Sequence, residues 1–203
     1  KAPQFESIAV LPFANVGGDA SNEYYGDGIA DELAGALAKL PGLKVAARSS
    51  AFQFKGQNVA AKEIGERLGV AAVVEGSVRR MGESIRISAQ LINASDGLAV
   101  WSESYERPAD EVFNVQTNIT AAIAADLGIG ANRTATAAAP NSRAYEAFLQ
   151  GRWHWGKRDR EGFEKAVEYF NLALAEDSLY AKAWAGLGDA YSLLGGFGYL
   201  PPD

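Results

Sequence analysis

Four groups of residues have the types and spacing that could do chemistry. The first is the loop Asn15-Val16-Gly17-Gly18-Asp19, which runs on to Asn22 between an apolar segment and a helical one. In an open α/β sheet such a loop can hold a phosphate against the helix N-terminus. Gly17 and Gly18 fit neither the Rossmann spacing nor the P-loop, however, and no Lys follows them. Asp19, Glu23, Asp27, Asp31 and Glu32 add negative charge that repels phosphate unless a metal intervenes. Turn chemistry is the first reading of this loop, and a nucleotide-like ligand on Asn15, Gly17 and Gly18 is the alternative. The second group is a set of arginines, Arg48, Arg79, Arg80 and Arg86. Arg79 and Arg86 fall beside the turn at Met81–Ser84 and Arg48 falls at the end of the second strand, so adjacent strand ends make a cationic rim for an acidic partner or ligand. The competing reading is a set of solvated strand ends paired with Glu75, Glu83 or Glu103.

The third group is the carboxylate pairs Asp31/Glu32, Glu103/Glu106 and Asp110/Glu111, which sit at helix starts and strand ends. The fourth is an aromatic cluster, Trp153, Trp155, Phe163, Tyr169 and Phe170, which suits a peptide groove, or else packing between helices with Trp153 and Trp155 at the junction with the first domain. No nucleophile, base and orienting group can be assembled from these, because the chain has one His (His154) and no Cys. That composition excludes disulfides, thiolate chemistry and a multi-histidine metal centre. We expect no catalytic residues, no metal site and no cofactor.

The elements that must position these groups follow from periodicity. The chain has 203 residues, 48% hydrophobic and 22% charged, which suits one large domain with a smaller appendage and excludes overall disorder. No apolar stretch approaches the ~20 residues of a membrane span. The net charge is −6, and neither half is basic, which argues against nucleic acid as a partner. Phe5–Phe13 reads as a central strand and Tyr24–Leu40 as a helix, with Asp27 as its N-cap and Pro41-Gly42 as its stop. Leu43–Ala47 is a second strand and Asn58–Leu68 a helix closed by Gly69. From Val70 the period changes to two: Ile85, Ile87, Ala89 and Leu91 alternate with Arg86, Ser88 and Gln90, and three strands form an antiparallel meander. Asp110–Leu127 is the last helix of this part. The order β-α-β-α-β-β-β-α predicts an α/β domain with a mixed sheet over residues 1–128. An Ala-rich linker is expected at 129–140, and an all-α segment at 141–203.

The all-α segment carries a repeat. Trp184-x-x-Leu187-Gly188-x-x-Tyr191 matches the opening of a tetratricopeptide (TPR) repeat, and Ala166-x-x-x-Phe170-x-x-Ala173 matches its second half. The equivalent opening of the first unit is Ala147-x-x-Gln150-Gly151-x-x-His154. In this frame Gly188 and Ala166 allow close helix approach, while Trp184, Tyr191 and Phe170 fill the space between helix pairs. His154 takes a packing slot. The chain starts at Lys1 and stops after the first helix of a second repeat, so we expect it to be a piece of a longer protein.

With these residues in hand, the first part resembles the TolB-like amino-terminal domain. The resemblance rests on Ser7–Phe13, Tyr25-Gly26-Asp27-Gly28-Ile29, Val45–Ser50 with Phe54-Lys55-Gly56, and Leu68-Gly69-Val70. It extends to Glu75-Gly76-Ser77-Val78-Arg79 and to Ala89-Gln90-Leu91-Ile92 leading to Trp101-Ser102-Glu103. It implies a bacterial signalling protein in which this domain precedes TPR repeats, with an adenylate/guanylate cyclase or winged-helix domain upstream and commonly a membrane segment between. It implies no catalytic residue. The expectation is a non-catalytic scaffold whose TPR concave face docks a protein or peptide. The alternative is a nucleotide-like sensor regulating an attached cyclase, and an envelope-anchored structural protein is a third reading. Neither the periplasmic nor the cytoplasmic side is selected.

Overall fold

Ser7-Ile8-Ala9-Val10 is apolar on both faces because it forms the centre of a sheet, where no side chain of Ile8, Ala9 or Val10 reaches solvent appreciably. This strand, β1 (Ser7–Val10), appears in a computed structural model that describes residues 5–17, 19–129 and 140–199. Gly18 and residues 130–139 of the expected linker lie outside the described residues. The chain forms two compact units, Lys1–Ala137 and Ala138–Asp203.

In the first unit β1 is followed by β2 (Ala14–Asn15), α1 (Glu23–Leu37), β3 (Lys44–Val45), α2 (Arg48–Ala51), α3 (Ala61–Leu68), β4 (Ala72–Met81), β5 (Ser84–Asn93), β6 (Ala99–Pro108) and α4 (Val112–Asp126). The sheet order is β3-β1-β4-β5-β6, with β2 also on β4. β1 pairs in parallel with β3 and β4, while β4, β5 and β6 form an antiparallel meander. The fold class is therefore mixed α/β with a mixed sheet. Because β1 connects first to β3 on one side and then, through β3, to β4 on the other, two right-handed crossovers place their helices on opposite faces.

The meander's alternation sets its two faces. Val74, Val78, Ile85, Ile87 and Leu91 turn one way and are buried, as are Ile29 and Leu33 of α1 and Ile119 and Ile123 of α4, the helices packed on the sheet. Val73 and Ile92 turn the other way, into a cluster with Ala51, Phe54, Ala61 and Ile64 from the α2–α3 side. Beyond that cluster the second face is polar: Glu75, Ser77, Arg79, Arg86, Ser88, Gln90, Ser102, Ser104 and Glu106 share it by register. Gly82 and Gly97 take positive φ at the two meander turns, +64° and +74°, as tight turns between strands require.

Close approach of backbone explains two glycines. A Cβ on Gly26 would stand 2.2 Å from the Phe13 carbonyl oxygen, and one on Gly76 would stand 2.4 Å from the Phe13 ring. Phe13 therefore joins the loop after β1 to both α1 and β4. Asp27 is a correction to the helix start. The cap position belongs to Asn22 and α1 begins at Glu23, so Asp27 lies inside the helix and buried. Gly26 and Gly28 weaken helix propensity at this end, but α1 continues through them, and Gly26 admits the contact with Phe13.

The second unit is three helices, α5 (Ser142–Trp155), α6 (Arg160–Glu176) and α7 (Ala181–Gly196). Asn141 caps α5 by accepting from the Arg143 N–H at 2.9 Å, and Asp159 caps α6 by accepting from Gly162 N–H at 2.6 Å. Phe170 of α6 is fully buried, and its ring fills the notches over Gly151 of α5 and Gly186 of α7; a Cβ at either glycine would meet the ring at 2.6 or 2.7 Å. Gly186 makes the close approach of α7 to α6, and the Cβ position of Gly188 is open. Arg158, between α5 and α6, is the non-glycine residue with positive φ (+60°) among the described residues, a conformation costing about 1 kcal/mol or more for a residue with a Cβ.

Candidate functional site

Topology puts the loops after β1 and β3 at the carboxyl ends of neighbouring strands whose connections diverge, the crevice where open α/β sheets hold ligands. The residues there are charged and paired. Glu23, Asp27 and Asp31 recur every fourth residue, which lines them along one face of α1. Lys55 Nζ lies 2.7 Å from both Glu23 Oε1 and Asp27 Oδ2, and Arg48 Nε lies 3.3 Å from Asp31 Oδ1. Only 8% of the Asp27 side chain is exposed. Burial pushes its carboxyl above the usual range, while the hydrogen bond and charge of Lys55 pull it back. Burial acts downward on the Lys55 ammonium, but its bonds to Asp27 and Glu23 outweigh that and hold it above its ordinary value. The arrangement sets two cations against three carboxylates, leaving one net negative charge, and ties α1 to the segment after β3. Sequence reading missed it because Asp27 and Lys55 are 28 residues apart; the four-residue spacing of the three acids was the available signal.

The Asn15–Asn22 loop is occupied by its own side chains. Asn15 Nδ2 donates to the Asp19 carbonyl at 2.7 Å. The Asp19 carboxylate accepts from Ser21 N–H, Ser21 Oγ and Asn22 Nδ2, and the two bonds from Ser21 lower its pKa. An internal carboxylate thus satisfies these donors.

The register brings some of the sequence-selected residues together and separates one. Arg79 and Arg86 are directly opposed across β4 and β5, Asn15 pairs with Val78, and Gly17 lies beside Arg79. Arg48 is not a strand end beside them: it is the first residue of α2, paired with Asp31 and stacked 3.9 Å from the Phe52 ring centroid. Arg86 is already held by Glu106 Oε2 at 2.6 Å. Arg80 donates to the Tyr25 hydroxyl at 3.1 Å, joining β4 to α1. A shallow polar depression on the open sheet face is lined by Glu75, Ser77, Ser88, Gln90 and Ser102.

In the second unit Gly151, Ala166, Phe170 and Ala173 are buried together, whereas Trp184 and Tyr191 are 56% and 47% exposed on α7, on the same face as Gly188 and partly covered Leu187. His154 is buried in α5, its ring stacked 5.2 Å from Tyr169 and edge-on to Trp153. Burial, with the nearby positive Lys157 and Lys165, pushes its pKa down to about 4. The folded chain therefore binds fewer protons than the unfolded one between that value and the unfolded value of 6.5. His154's contribution to stability is complete above about pH 6.5 and is lost as pH falls from there toward 4. As this is the chain's single His, urea unfolding of the helical unit between pH 7 and pH 5.5 is expected to show that loss, and His154→Phe to flatten it.

Among the described residues no group of His, Cys, Asp and Glu could hold a metal ion, and no helix is long and apolar enough to cross a membrane.

No protein-family profile matches the chain. Over 121 residues it is 43% identical to a protein of Rhizobium meliloti (strain 1021) named "Putative adenylate cyclase 3", covering 60% of this chain and 21% of that protein. The chain spans about a fifth of that relative's length. Among solved structures, lipoprotein GNA1162 from Neisseria meningitidis is similar at TM-score 0.45 and 20% identity, covering 60% of this chain and 99% of that one. TolB from Acinetobacter baumannii is similar at TM-score 0.44 and 18% identity, over 63% of this chain and 29% of that one. The LpoB C-terminal domain from Escherichia coli is similar at TM-score 0.40 and 14% identity, over 53% and 86%.

Proposed function

We propose that the chain is a non-catalytic protein-binding module of a larger bacterial signalling protein. In this reading residues 1–128 form a TolB-like domain, 129–140 a linker, and 141–203 the start of a TPR array whose concave face docks a protein or peptide. The observation that carries the reading is a difference between two equivalent helices. The α5 positions Ala147, Gly151 and His154 are buried, with Phe170 of α6 over Gly151; their counterparts thirty-seven residues on, Trp184, Gly188 and Tyr191, face outward on α7. In the repeat frame this face packs against the next helix, so it is an interaction surface for a further helix, of the array or of a partner. The 43% identity to part of a protein named as an adenylate cyclase supports a signalling parent.

Thermal unfolding with a millimolar panel of nucleotides and cyclic nucleotides tests this against the sensor reading. A ligand at about 100 times its Kd adds about 2.7 kcal/mol, a shift of several degrees. We expect no shift. A clear shift that Gly17→Ala abolishes would replace the scaffold reading with the sensor, and loss of one defined captured protein on Trp184→Ala and Tyr191→Ala would support the scaffold.

A further inference from the structure

The segment joining α5 to α6 concentrates positive charge in an acidic protein. Four of the seven basic residues after Pro140, Arg152, Lys157, Arg158 and Arg160, fall within nine positions, against one acid, Asp159. They are organised on tryptophans. The Arg158 guanidinium lies 3.8 Å and the Arg152 guanidinium 4.7 Å from the Trp155 ring centroid, and Lys157 Nζ lies 3.9 Å from that of Trp153. Arg160 is committed to Glu164, and Asp159 to capping α6. Lys157 and Arg158 make no ion pair among the described residues.

Backbone strain singles out Arg158. Its φ of +60° is one that glycine or asparagine adopts cheaply, yet an arginine stands there with its guanidinium stacked on an indole. A guanidinium held over a ring face keeps N–H groups that can fork a carboxylate. We propose that this loop is the docking site for an acidic peptide segment of a protein partner, with Arg158 and Lys157 as the carboxylate-binding groups. A lipid surface fits less well, because both tryptophans are half-buried with cations over their faces and so are not free to insert. The inference names the partner's chemistry for the protein-docking reading, on which it rests. The two fail separately, since Trp184→Ala and Tyr191→Ala leave this loop unchanged.

The test is fluorescence anisotropy of a labelled Asp/Glu-rich dodecapeptide titrated with the whole chain at low salt, beside an Asn/Gln peptide of equal length and phosphatidylserine vesicles. The acidic peptide alone is expected to bind, with affinity falling as salt rises. Arg158→Gly removes the guanidinium and relieves the backbone, so it is expected to weaken binding at least about tenfold, the loss of one charge-assisted hydrogen bond, while the thermal midpoint holds or rises. Lys157→Ala weakens it in the same direction. Absence of acidic-peptide binding, binding unchanged in both variants, equal binding of the Asn/Gln peptide, or vesicle binding in place of peptide binding would overturn the proposal. A lower midpoint in Arg158→Gly would also overturn it, by making the guanidinium a fold-holding group.

Discussion

Phe170→Ala is expected to cost the helical unit about 3–5 kcal/mol, the range for emptying a fully buried aromatic site, read as a lower urea midpoint for that unit. Two features place it at the upper end. The ring is fully buried, and it fills notches over Gly151 and Gly186 that have no side chain of their own to move into the space. Collapse would require α5 and α7 backbones to shift, so most of the cavity persists. Phe148, which is tilted against the same ring and edge-on to Tyr180, loses contact as well. An unchanged midpoint would mean that the Gly151 and Gly186 notches close without cost.

Lys55→Met is expected to destabilise the α/β unit by about 3 kcal/mol at pH 7, the low end for leaving a buried charge without its partner. The low end applies because Lys55 is 36% exposed and water shares in screening it. Asp27 makes the effect pH-dependent. Its folded pKa is already raised by burial, so the fold favours the protonated carboxyl. Stability is present below the unfolded value of 3.8 and lost as pH rises through the folded pKa. Removing Lys55 takes away the hydrogen bond and the larger of the charges that oppose burial, leaving Arg48, and moves that loss upward in pH. The deficit of Lys55→Met should therefore shrink between pH 7 and pH 5, and the double variant Asp27→Asn/Lys55→Met should recover much of it. A deficit independent of pH and unrelieved by Asp27→Asn would assign the cost to lost packing of the lysine stem.

The legible parts of this molecule are those whose signal is local. Alternation at Ile85, Ile87, Ala89 and Leu91 needs no partner to be read, and the structure pairs those residues along the whole of β4 and β6. The helical stripe Ile29, Leu33, Leu37 is of the same kind. The two-residue β2 and four-residue α2 are too short to show a period. The site depended on distance along the chain. Asp27 resembles a cap in sequence and becomes an ion-pair partner only because the segment carrying Lys55 folds across α1. Arg48 resembles a strand end and is drawn into α2 by Asp31 and Phe52. In the helical unit the repeat pattern located Phe170, whereas which glycine it presses on depends on which helices are present to press.

The division of the sheet into a parallel and an antiparallel half also orders its assembly in time. The β4–β5–β6 meander closes contacts over short loops, such as Gln90 to Glu75 at 15 residues and Arg86 to Glu106 at 20. Pairing β1 onto β4 closes a separation of 64, as between Ser7 and Ala71. Loop-closure entropy makes the short closures faster, so the meander is expected to form first and β1 to pair onto it afterwards, an order that pulse-labelled hydrogen exchange would read as earlier protection of β4–β6 than of β1. A chain whose meander folds first also hides its longest strands early, leaving the apolar β1 as the segment exposed for longest on the way to the native state.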